Sequence, residues 1–278
     1  MSETPAPSIV AASPPSTSVG LGEAASRRLS VFVPRQVESV RGRLPLPVAT
    51  TWPTVEGFLA ILFTPRCGST FFARELVRGH DIGHVGETFN TPRLKTRTGA
   101  DVVRQNAGRW FGAKLSIQGL MAANLNGTID QYDGQIHFII LLRRDVVAQA
   151  VSLNKARQTQ RWHSTGKERE KDIIYDANRI GNSVRSIVAT AHTFAKFVDI
   201  CSRPVYRFYY EDSVDGDFSA MENVCKELRI PQVESRKNRN FASLQPIRDH
   251  VNEEWRVRFL EHVDPRVQAA IDRYQALL

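Results

Sequence analysis

Cysteine is scarce in this chain, with three residues at positions 67, 201 and 225. So few, so scattered, exclude a disulfide framework or a cysteine-built zinc site, and all three are expected as reduced thiols. No uninterrupted apolar stretch approaches the roughly 20 residues that a membrane-crossing helix needs, so no transmembrane segment is expected. No internal repeat is visible, which argues against a solenoid. What is abundant is positive charge: 37 Lys and Arg stand against 29 Asp and Glu, a net +8, with a pI near 9.7. That balance favours anionic ligands. The basic residues are spread over strand ends and helices, with no single arginine-rich face or aromatic nucleic-acid motif, so no nucleic-acid partner is expected.

With 278 residues, 42% of them hydrophobic, the chain can bury one sizeable core. Residues 1–50 carry many Pro, Ser and Ala with little periodicity and are expected as a disordered tail, leaving 51–278 as one domain. Ser26-Arg27-Arg28-Leu29 is similar to a twin-arginine export signal, but Pro34 and Arg35 interrupt the apolar stretch that would have to follow, so export is not expected.

From Phe58 onward, strand and helix patterns alternate. Apolar runs over Phe58 to Phe63, near Phe111, over Ile136 to Leu142 and over Val205 to Tyr210 read as strands. Helices are expected from Thr70, from Asp145, over about Asp172 to Ile200, near Ser219 to Leu228, over Glu253 to Glu261 and over Pro265 to Leu278. Such alternation predicts an α/β fold, a P-loop-like parallel sheet flanked by helices.

The first strand runs straight into Thr64-Pro65-Arg66-Cys67-Gly68-Ser69-Thr70-Phe71. An apolar strand that breaks into a basic, Gly- and hydroxyl-bearing turn, then a helix, is a cradle for phosphate or sulfate. The helix N-terminus offers N–H groups and positive dipole character. Gly68 permits close backbone approach, Ser69 and Thr70 add hydroxyls, and Arg66 adds a fork of charged donors. The P-loop lysine is missing: Cys67-Gly68 stands where Gly-Lys would. A triphosphate hydrolase uses that lysine and a metal-bound hydroxyl, so this loop suits a nucleotide whose transferable group needs no metal clamp. A nucleoside triphosphate enzyme would also want a carboxylate at the end of Ile136 to Leu142, where Arg143-Arg144 stands instead.

That second strand end supplies another anion anchor. Arg143 ends the strand, Asp145 reads as the cap of the next helix, and Ser152 on that helix can converge with Arg143 on one anion. Ligands gather at the carboxyl ends of parallel strands.

Pro65-Arg66-x-Gly68-Ser69 after a strand, with the Arg143/Ser152 pair, resembles the donor site of sulfotransferases that use 3′-phosphoadenosine 5′-phosphosulfate (PAPS). Arg143 to Ser152, with Ala156-Arg157-Gln158-Thr159-Gln160-Arg161-Trp162, is similar to the bacterial trehalose 2-sulfotransferase family and to the rhizobial nodulation-factor sulfotransferase. Gly83 to Asn90 resembles the Gly-x-Pro-x-Glu-[aromatic]-Phe-Asn segment of that family, with Val85 for the proline and Thr88 for the aromatic. Phe111 to Leu115 and Tyr209 to Asp212 extend the likeness.

The resemblance implies a sulfotransferase fold in a cytoplasmic bacterial enzyme that uses PAPS without a metal. It places donor binding on Arg66, Cys67, Gly68, Ser69, Thr70 and Phe71, with Arg143, Ser152 and Arg248 around the 3′-phosphate. Glu87 is implied as general base, with His84 as the other candidate. Lys114 is the second catalytic candidate, either beside the transferring sulfuryl or merely an exposed lysine at the end of a strand. Arg157, Arg161 and Trp162 are implied on the side of a carbohydrate or glycolipid acceptor, and a homodimer is implied for the assembly. The rival expectation is a sulfotransferase-like protein that binds the nucleotide and has lost its activity.

Overall fold

The computed structural model describes residues 28, 31–32, 49, 51–90, 97–162, 173–233 and 250–278. In chain order the elements are β1 (Gly57–Phe63), α1 (Ser69–Gly79), α2 (Gly99–Asn106), β2 (Trp110–Leu115), α3 (Ile117–Leu125), α4 (Thr128–Gln131), β3 (Ile136–Leu142), α5 (Val146–Thr159), α6 (Ala177–Cys201), β4 (Val205–Tyr209), α7 (Tyr210–Val214), α8 (Ser219–Glu227), α9 (His250–Glu261) and α10 (Pro265–Gln275). The four strands form one parallel sheet in the order β2-β1-β3-β4.

β1 and β3 lie in the middle, and β1 is buried along its whole length, as expected for a central parallel strand covered on both faces. Side chains alternate between the faces. Phe58, Ala60 and Leu62 join Phe111, Phe138, Leu120, Val147, Val184 and Phe197 in one core, whereas Leu59, Ile61 and Phe63 join Phe72, Leu76, Phe208 and Met221 in the other. The first core lies under α3, α5, α6 and α10, the second under α1 and α8.

α6 follows the expected apolar period, with Ile180, Val184, Ile187, Val188, Ala191 and Phe194 buried, and it starts at a side-chain cap from Asp176 to the Arg179 N–H. Tyr210, expected in the fourth strand, instead opens α7, because β4 ends at Tyr209. Lys114 does not follow its strand; it lies within β2 and is buried. α2 and α3 interrupt the expected alternation. α2 is closed by a capping box between Thr98 and Asp101, and α3 by the Ser116 hydroxyl on the Gly119 N–H.

Of residues 1–50, the described ones are Arg28, Val31, Phe32 and Ala49. Phe32 is buried beside Phe197, ring centroids 5.9 Å apart. Arg28 is also buried, donating to Asn124 Oδ1 at 3.1 Å and pairing with Asp130. These residues pack on the domain, and the rest of the expected tail lies outside the described residues. Among the described residues no helix is long and apolar enough to cross a membrane.

Candidate functional site

All four strands point their carboxyl ends to one side, where the loop after β1, the loop after β3 and the start of α7 meet. The loop after β1 turns sharply because Arg66 adopts φ 67° and Gly68 φ 82°. Gly68 is the N-cap residue of α1 and supplies no side-chain cap. Its hydrogen side chain has a specific cause: a Cβ there would stand 2.2 Å from Cδ2 of Tyr210. The close approach expected of Gly68 is thus made by the Tyr210 ring. Gln149, buried on α5, holds the loop from below by donating to Thr64 Oγ1 and to the Pro65 carbonyl, both at 2.8 Å. Cys67 points into the apolar core, and burial pushes its thiol up to about 11. It acts as a packing residue, because a nucleophilic cysteine needs a stabilised thiolate.

Arg66 reaches across to α5. Its Nε donates to Ser152 Oγ at 3.0 Å and its Nη1 to the Trp162 carbonyl. Arg143, at the end of β3, donates from Nη1 to the Arg66 carbonyl at 3.5 Å and lies 4.8 Å above the Tyr210 ring centroid. Arg143 Nε is buried without a hydrogen-bond partner, its nearest carboxylate being Glu211 at 3.9 Å. Arg66, Arg143 and Ser152, far apart in sequence, are therefore brought together. Burial, and secondarily the charge of Arg143, makes the Arg66 cation less favourable than usual. An anion between the two guanidiniums would relieve that repulsion and satisfy the orphaned Nε.

A small pocket beside this cluster is lined by Arg66, Ser152, Lys155, Thr159, Arg161 and Asn252. The α5 contributions, 152, 155 and 159, follow the helical period and share one face. Arg157 lies off that face: its Nη1 donates to Ser183 Oγ on α6 at 3.1 Å. Arg161 is at the pocket and Arg157 is not. Trp162 stands at the edge with its residue 42% exposed, which leaves part of the indole open to a ligand. Arg248 lies outside the described residues.

Next to α1 is a second group. The segment carrying Glu87 runs along the edge of β2, bridging at Ile82–Trp110 and Gly86–Ala113, with the Lys114 N–H donating to the Gly86 carbonyl at 2.9 Å. That attachment sets Glu87 against Lys114. Lys114 Nζ is 3.4 Å from Glu87 Oε1, 3.1 Å from Thr70 Oγ1 and 5.3 Å from the Phe63 ring centroid. The lysine is nearly enclosed while the carboxylate is 41% exposed, so the pair has one buried and one open end. The second carboxylate oxygen accepts from Asn90 Nδ2, and Asn90 Oδ1 accepts from Ser116 Oγ at 3.3 Å. His84 is exposed, its ring beside Gly86.

The sequence alone gives no role to Gln149, Asn90, Tyr210 or Lys155. Asn90 and Tyr210 stood inside segments already singled out, and their side chains gain meaning only once the loops fold against each other. Gln149 and Lys155 carry no distinguishing signal, because the buried residues of α5 also include the polar Ser152, Asn154 and Thr159.

The family model described as Stf0 sulphotransferase matches residues 99–262, more than half of the chain. The matched segment contains Lys114, Arg143 and Ser152, while the loop after β1 and Glu87 precede it. Among solved structures, a mouse sulfotransferase, SULT7A1 complexed with PAP, is 12% identical with a TM-score of 0.47, covering 80% of this chain and 84% of that one. The sulfotransferase domain of the Synechococcus PCC 7002 olefin synthase is 13% identical with a TM-score of 0.44, covering 84% and 98%. A sulfotransferase domain from the curacin biosynthetic pathway is 15% identical with a TM-score of 0.37, covering 64% and 76%. No curated protein sequence matches the chain.

Proposed function

The chain belongs to the Stf0 sulphotransferase family, and from that premise we propose that it moves the sulfuryl group of PAPS to a hydroxyl of a carbohydrate acceptor. The observation that carries the donor half is the gathering of Arg66, Arg143 and Ser152 around a buried guanidinium nitrogen that has no hydrogen-bond partner. Two neighbouring cations beside an uncapped helix N-terminus form a site built for a multiply charged anion.

In this reading the 5′-phosphosulfate lies along Arg66, Gly68, Ser69, Thr70 and Phe71, touching Cys67 through the backbone alone. Arg143 and Ser152 hold the 3′-phosphate, with Arg248 completing that site. Glu87 accepts the proton of the acceptor hydroxyl as its oxygen attacks sulfur. The new O–S bond forms as the bond from sulfur to the bridging phosphate oxygen breaks, and 3′-phosphoadenosine 5′-phosphate (PAP) departs with the negative charge. Lys114, already bonded to the Thr70 hydroxyl at the start of α1 and to Glu87, spans both ends of that transfer and stabilises the charge that moves between them. The carbohydrate class of acceptor is supported by the resemblance of residues 143–162 and by the open indole of Trp162, a flat face of the kind that packs on sugar rings. Arg161 lines the approach to it.

Calorimetric titration with PAP, with ATP as the comparison and a chelator present, tests the donor half. Metal-independent binding that collapses in Arg143→Ala supports the reading and opens an acceptor screen with labelled donor. Absence of PAP binding by the wild-type protein would remove it.

A further inference from the structure

α10 and the residue Leu278 beyond it touch the carboxyl end of the sheet at three residues, Tyr209 at the end of β4 and Arg143 and Arg144 just past β3. Tyr209 donates its hydroxyl to the Leu278 carbonyl at 2.6 Å, just past the helix, and Gln275 Nε2 donates to the Arg144 carbonyl at 3.4 Å. The central contact is Tyr274. Its hydroxyl accepts the Arg143 N–H at 3.3 Å and donates to the Arg143 carbonyl at 3.0 Å. Tyr274 is fully buried, and burial pushes its phenol well above the usual range, so the hydroxyl stays protonated and can serve both contacts.

Arg143 is one residue past the last ladder residue of β3, Leu142. Beyond that point the strand no longer has the sheet's regular bonding to fix its backbone. Its guanidinium nevertheless has to stay over the Tyr210 ring and beside the Arg66 carbonyl, close to a second cation that repels it. A single phenol bound to both backbone groups of one residue fixes where that side chain starts. Residue 274 lies outside the segment 99–262, so the family match does not account for it.

We propose that Tyr274 is a positioning residue for donor binding, holding the Arg143 backbone so that its guanidinium is set before the anion arrives. The inference rests on the PAPS reading above. It explains why a buried core tyrosine spends its hydroxyl on a strand end, where a phenylalanine would fill the same volume.

The experiment is a double-mutant cycle in PAP affinity, with thermal melting alongside. Tyr274→Phe is expected to weaken PAP binding about tenfold, the effect of one lost buried hydrogen-bonding group. Tyr209→Phe removes the neighbouring α10 contact but none of the Arg143 contacts, and is expected to keep PAP affinity within about twofold whatever it does to melting. In an Arg143→Ala background, Tyr274→Phe should weaken binding no further, because the side chain it sets is gone. Equal losses in both backgrounds, an equal loss in Tyr209→Phe, or no loss in Tyr274→Phe would each overturn the inference while leaving the donor reading standing. A wild-type protein that does not bind PAP overturns both. If Tyr274→Phe does not fold, amide exchange in the wild type decides: PAP should slow exchange in the peptide spanning Pro265–Gln275 together with β3, and unchanged exchange in α10 would overturn the role.

Discussion

The Arg66/Arg143 cluster and the Glu87/Lys114 pair differ in how they are held. Arg66 and Arg143 are fixed from several directions, by Gln149 and Ser152 on α5, by the Tyr210 ring at the start of α7, and by Tyr274 on α10. Glu87 sits on an irregular segment that joins the sheet through two isolated bridges at its edge, and its carboxylate is 41% exposed. The difference suits two kinds of ligand. A nucleotide with fixed charges rewards preset cations, since repulsion among them is tolerated only in a rigid frame. A hydroxyl that enters from solvent requires an open carboxylate with only its inner side held.

The sharpest way to separate the two regions is to remove one function from each. Glu87→Gln is expected to lower the transfer rate by about 10³-fold, within the range for a lost general base, with PAP affinity unchanged. Rates with labelled donor beside a calorimetric titration measure both, and an unchanged rate would take Glu87 out of the role. Arg143→Ala should show the opposite pattern, with PAP affinity down about 100-fold, the scale of charge-assisted bonds lost at a buried site. Its melting temperature should fall little, because removing one of two repelling cations offsets part of the lost packing.

Gly68→Ala tests the rigidity of the frame itself. The new Cβ meets the Tyr210 ring and the residue must keep φ 82°, so a destabilisation of about 1–3 kcal/mol is expected in chemical unfolding. Tyr210→Ala in the same chain should relieve the clash while leaving the backbone strain. Asn90→Ala, on the more open side, is expected to lower the rate about tenfold with no change in PAP binding, because the Glu87 carboxylate would lose the amide that holds its second oxygen.

A pH dependence of stability is also expected, from three packed thiols that take no part in the proposed chemistry. Burial raises Cys67 to about 11 and Cys201 and Cys225 to about 12. The folded state then holds protons that the unfolded chain releases near pH 8.5–9. These thiols therefore contribute stability that is complete below pH 8 and is lost as pH rises through about 11 to 12. Unfolding midpoints in urea should fall from pH 8 to pH 10.5, and native protein at pH 8 should resist iodoacetamide. Rapid alkylation of Cys67 in the folded state would contradict its packing.

Much of the fold could be read from the residues because β1 and β3 are nearly continuous apolar runs, with His137 the polar residue of β3, and α6 keeps a clean helical period. α3 escaped because nearly all of it is buried, including Gly119, Met121 and Asn124, so no polar face marks its turns. α2 did carry a readable start in Thr98 and Asp101. For the site, Arg66, Arg143 and Ser152 were legible as strand-end and helix residues whose chemistry suits anions. Whether an individual basic residue faces that site was not. Arg157 and Arg161 are four positions apart, yet Arg157 bonds to α6 while Arg161 lines the pocket, because α5 ends at Thr159 and Gln160, at φ 58°, turns the chain before Arg161. Tyr274 could not be found from sequence at all, since its partner is 131 residues away.

The placement of β1 beside β3 has one more consequence. Adjacent strands are held about 4.8 Å apart by their shared ladder, and the register sets Phe63 against Leu141. The two cationic loops begin almost level with one another, so the gauge between them is a property of backbone pairing and not of any side chain. Under the proposed function, changes around Arg161 and Trp162 would then alter the acceptor side without altering the spacing of the two cations.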